Sequence, residues 1–241
     1  MFKHFTLILA LSSITFTSCD STTDLSQVLG AVLGETALTN GEIVGGLKQA
    51  LELGIGKGSD LLSREDGYYK SAYKILLPEE ARKVTDRLQN IPGFSAVEET
   101  ILEKINRGAE DAATKAKPIF VDAIKAMTIS DALGILKGEK DAATRYLESS
   151  TYQRLYDEFN PVIVASLDKF NARQYWSDAV NTYNRIPLIG EQVDPDLDDY
   201  VTRQALDGLF SMVAKEELNI RNNISARTTD LLRKVFAAQD N

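Results

Sequence analysis

Asp196-Leu197-Asp198-Asp199-Tyr200-Val201-Thr202-Arg203-Gln204-Ala205-Leu206-Asp207-Gly208-Leu209-Phe210-Ser211-Met212-Val213 is the stretch whose reading decides the fold. Leu197, Val201, Ala205, Leu209 and Met212 recur at spacings of three and four, with Leu206, Phe210 and Val213 beside them. On a helix of 3.6 residues per turn this makes one wide apolar arc. The pattern predicts a central helix over 197–221, with Asp196 as its N-cap.

The same period recurs outward from it. Thr39-Asn40-Gly41-Glu42 is a capping-box pattern ahead of Ile43, Leu47, Ala50 and Leu51, so a helix starts there. Its expected end is Gly54-Ile55-Gly56-Lys57-Gly58-Ser59, because each helical glycine costs about 1 kcal/mol relative to alanine. That cluster lacks the spacing, the preceding strand and the hydroxyl of a phosphate-binding loop. Residues 64–77 read as turns and a short extended run. Further helices are expected over 78–88, 95–115, 118–127 and 129–136, the last opened by the box Thr128 to Asp131 and closed by Gly138. Asp141 is the expected cap of a helix over 142–156, and Asn160-Pro161 is expected to break the chain and start another. Residues 172–183 carry Trp176, Ala179, Val180 and Tyr183 on one side, and the apolar connection at 186–190 reads as packed. A last helix is expected over 226–236, opened by Ser225 or Thr228. No strand alternation is sustained, so the expected fold is all-α, a multi-helix bundle without substantial sheet, forming a single domain over 38–238.

The first residues have a different character. Lys3 and His4 precede an apolar run over 5–16, and Thr17-Ser18 precede Cys19. This is the layout of a secretory signal over 1–18, and the run is too short for a hydrocarbon core that needs about 20 apolar residues. Phe16-Thr17-Ser18-Cys19 is similar to the cleavage box of bacterial lipoproteins, with bulkier residues than usual before the cysteine. Cys19 is therefore the expected lipidation site, residues 19–37 a tether with a short helix, and the cell envelope the expected location, with the outer membrane favoured. Two or three acyl chains anchor stably, since each buried methylene contributes about 0.8 kcal/mol. The expected partners are the membrane, through that lipid, and an envelope protein.

This reading narrows the chemistry. Cys19 and His4 are the only cysteine and histidine of the chain, and cleavage would discard His4. Imidazole-based triads, histidine zinc sites and dithiol redox pairs are excluded from the mature chain. The formal charge of -8 becomes one unit more negative without Lys3, which disfavours nucleic acid as a partner. Carboxylates remain. Asp194, Asp196, Asp198 and Asp199 cluster at a loop and helix start, where hard oxygen ligands suit calcium or magnesium. The spacing starts like an EF-hand loop, but Asp199 stands in place of the glycine and Ala205 in place of the closing glutamate. The competing account is a helix start, where acids complement the dipole and Asp196 caps. Asp199, Arg203 and Asp207 form a stripe that reads as an ion-pair ladder, the alternative being a carboxylate hydrolase or a cation-dependent enzyme. The aromatic residues between Tyr146 and Tyr183 suit a core, or a platform for a ligand. A non-enzymatic binding or scaffold module is the leading expectation.

Six segments taken in order carry a resemblance: 46–51, 77–80, 122–128, 194–202, 205–210 and 226–232. Together they resemble the uncharacterised bacterial family catalogued as domain of unknown function 4197, over about 38–236. The resemblance implies a helical exported domain, and supplies no activity, substrate or catalytic residue.

Overall fold

The computed structural model describes residues 38–169, 171–187, 192–193 and 196–237. The expected signal segment, Cys19, the expected tether, Asp194 and most of the apolar connection at 186–190 lie outside the described residues. Among the described residues there are nine α-helices and no strand. They are α1 (Asn40–Leu62), α2 (Glu79–Leu88), α3 (Val97–Ala113), α4 (Ala116–Ala126), α5 (Ile129–Lys137), α6 (Ala142–Lys169), α7 (Ala172–Asn184), α8 (Asp198–Asn222) and α9 (Asp230–Ala237). A short 3-10 turn, Ile224–Ala226, joins the last two. The fold is an all-α bundle, in which α6 packs on α3 and α8, and α8 also packs on α1. The arc read from the sequence faces inward: Val201, Ala205, Leu206 and Leu209 are fully buried on α8.

Both capping boxes form. The Thr39 hydroxyl accepts from the Glu42 amide and Glu42 reaches back to the Thr39 amide; Thr128 and Asp131 do the same at α5. Glu42 also takes a 2.6 Å bond from Lys234, which ties the start of α1 to α9. Two other caps differ from expectation. Leu197 occupies the N-cap of α8, and Asp196 sits one residue earlier, its Oδ1 accepting from the Asp198 amide at 2.9 Å. At α9 the accepting side chain is Thr229, which takes the Leu232 amide.

The glycine cluster does not end α1, which runs on through Gly54, Gly56 and Gly58 to Leu62. The reason is close approach. A Cβ on Gly58 would lie 2.9 Å from Met212 Cγ of α8, and one on Gly46 would lie 2.6 Å from Val235 Cγ2 of α9. The dispersion attraction between helices packed at this range outweighs a propensity cost of about 1 kcal/mol per glycine.

Pro161 does not break α6 either. A proline in a helix interior costs about 3 kcal/mol. Against it stand Leu155, Phe159, Ile163 and Leu167, which are buried along the same face, each contributing about 1.5–3 kcal/mol. Pro161 and Asp157, whose carbonyl loses its amide partner, are both exposed, so water can satisfy that carbonyl.

Asp141 does not cap α6, its carboxylate pairing instead with Arg145 at 3.2 Å. The first-turn amides of Ala143 and Thr144 donate to the two carboxylate oxygens of Glu217 on α8, at 3.0 and 2.9 Å, and the Thr144 hydroxyl adds a 2.8 Å bond. Arg221, one turn on, donates to Glu217 Oε1 from Nε and Nη2 at 2.9 and 2.8 Å. Its Nη2 also reaches the Ile135 carbonyl at the end of α5, 2.9 Å away. One buried ion pair therefore satisfies the end of α5 and the start of α6 together.

Gly46→Ala should destabilise by about 1–3 kcal/mol through overpacking on the stiff Val235 side chain, whereas Gly56→Ala, with only Lys117 nearby, should stabilise by about 1 kcal/mol. Urea denaturation separates them, and equal effects would contradict the close approach. In the same assay Glu217→Ala and Arg221→Ala should each cost about 3–5 kcal/mol, and the double variant clearly less than their sum.

Candidate functional site

The start of α8 (Asp198–Asn222) is tied to the extended run before α2. Tyr200 donates its hydroxyl to the Leu76 carbonyl at 2.7 Å, which fixes the α8 start against the extended run before α2. That run is itself held by Asn106, which is fully buried and bonds both the amide and the carbonyl of Ile75, at 2.8 and 2.9 Å. The Asn184 side chain, at the end of α7, pairs with both backbone groups of Val193 at 3.1 Å.

Between these elements lies a groove of about 340 Å³. Its apolar wall is Ala81, Trp176, Tyr183 and Leu197, and its polar rim includes Glu80, Lys83 and Asp196. Trp176 is 2% exposed, and its indole Nε1 has no hydrogen-bond partner. A buried donor without an acceptor costs about 1–3 kcal/mol. A second, polar groove of about 360 Å³ adjoins at Asp196, lined by Asp168, Arg173, Gln174, Ser177 and Asp198 as well. Arg173 bridges two of those acids, at 3.2 Å from Asp168 and 3.4 Å from Asp198.

The acidic cluster divides between two directions. Asp196 and Asp198 line the polar groove. Asp199 turns away, taking two bonds from Arg203 Nε at 2.9 and 3.0 Å and one from the Tyr156 hydroxyl at 2.6 Å. The Arg203 guanidinium also sits 5.5 Å over the Tyr156 ring. Asp207 accepts from Gln204 at 3.3 Å. No group of three or more acidic, histidine or cysteine side chains converges as a metal site among the described residues.

The two adjacent carboxyls are pushed in opposite directions. Burial raises the Asp198 pKa, the charge of Asp196 adds to this, and Arg173 opposes it. The hydrogen bonds from Arg203, then from Tyr156, lower that of Asp199. Asp199 in turn raises the Tyr156 phenol.

The residues that composition does not single out are Arg173, Asp168 and the α2 wall at Ala81. Their signal is spatial, since α2 packs on α7 from nearly a hundred positions away. The Arg227 to Asp230 segment has a structural role: buried Arg227 donates to the carbonyls of Ile220 and Arg221 at 3.1 and 2.7 Å and so closes the end of α8.

Carboxyl-detected NMR titration should place Asp198 above, and Asp199 below, the ordinary aspartate range. A raised folded pKa means that the folded state takes up its proton first, so the Asp198 contribution to stability grows as pH falls through its folded value. The Asp199 contribution has the opposite sign, present above the ordinary value and lost as pH falls through its depressed one. Arg173→Met should push Asp198 further up; coincident titration of the two groups would refute this account of their surroundings.

No curated protein and no solved structure matches the chain. No described helix is long and apolar enough to cross a membrane. The profile of the family described as protein of unknown function (DUF4197) matches residues 37–237, which takes in every described residue, and the chain belongs to that family.

Proposed function

We propose that this chain is an exported lipoprotein, held to the envelope by lipid on Cys19, whose helical domain is a binding module rather than an enzyme. The signal-like start and the cysteine at its cleavage point support the address. The outer membrane is the favoured site, with an envelope protein as partner.

The observation that carries the binding reading is the Trp176 groove. It is concave, of a size suited to a ligand or a side-chain anchor, and largely apolar, with Trp176 in its wall. The carboxylates nearby are a weaker basis for hydrolysis or cation chemistry. Asp198 is engaged by Arg173, and Asp199 by Arg203 and Tyr156, so each is already paired with a cation.

Metabolic labelling with a palmitate analogue should mark the wild-type chain and leave Cys19→Ser unmarked. A photo-reactive benzoylphenylalanine placed at Gln192, in the groove, should give a discrete protein adduct in intact envelopes, whereas the same group at exposed Leu218 should not. An unlabelled Cys19 would overturn the address, and matching behaviour of the two photo-reactive positions would overturn the binding reading.

A further inference from the structure

We draw no further inference here: the strongest candidate, the apolar groove walled by α2, α7 and the start of α8, belongs to the site already described, and nothing in the structure shows what covers it.

Discussion

The arrangement depends most on one carboxylate, Glu217. A helix leaves four amides unsatisfied at its start and four carbonyls at its end, and α5 and α6 meet with only four residues between them. Glu217 supplies acceptors for the start of α6, and Arg221 supplies a donor for the end of α5, while each neutralises the other. Both side chains are less than a tenth exposed, with apolar Leu47, Leu51, Ile55 and Phe236 lining the same small cavity. In such surroundings either charge alone is far more costly than the pair. The pair therefore fixes the rotation of α8 about its own axis. Because a helix transmits that rotation along its length, Glu217 also governs which way Asp198 and Tyr200 point about 28 Å away.

A similar arrangement holds the turns that follow α1. Glu110 accepts from the amides of Tyr68 and Tyr69 at 3.1 Å and from Arg107 at 2.8 Å, anchoring the turns after α1 to α3. The Tyr68 hydroxyl, fully buried, donates to the Ala205 carbonyl on α8 at 2.7 Å, and burial raises its pKa well above the ordinary phenol range. Buried Asn106, Glu110, Glu217 and Arg227 thus serve the ends of helices and the extended run, where backbone groups lack partners of their own.

That pattern explains what can be read in the sequence. Features that depend on near neighbours in the chain are legible: the boxes at Thr39 and Thr128, the apolar arc of α8, and the inward side of α7 at Trp176, Ala179 and Val180. Features set by distant neighbours are not. Gly54 and Gly58 look like helix breakers until α8 is laid against them, and Pro161 looks like a break until the burial of Phe159 and Ile163 is counted. A cap at Asp141 is plausible by spacing, but a glutamate from α8 takes that role. The groove is illegible for the same reason, since its walls come from α2, α7 and α8, and no local signal announces that they meet.

The acidic run shows how helix geometry constrains function. Residues one apart on a helix point about 100° from each other, so adjacent Asp198 and Asp199 cannot readily face a common ion or a common bond. The structure resolves them into unlike surroundings, one partly buried beside Arg173, the other exposed and held by Arg203 and Tyr156. Density of acids in sequence is thus converted into dispersion in space. What converges here is drawn from several helices: an apolar wall that includes the Trp176 side chain, and carboxylates of mixed origin around one guanidinium. Such a combination offers a ligand a shape and a sign of charge. Those are the means by which a binding surface selects its partner.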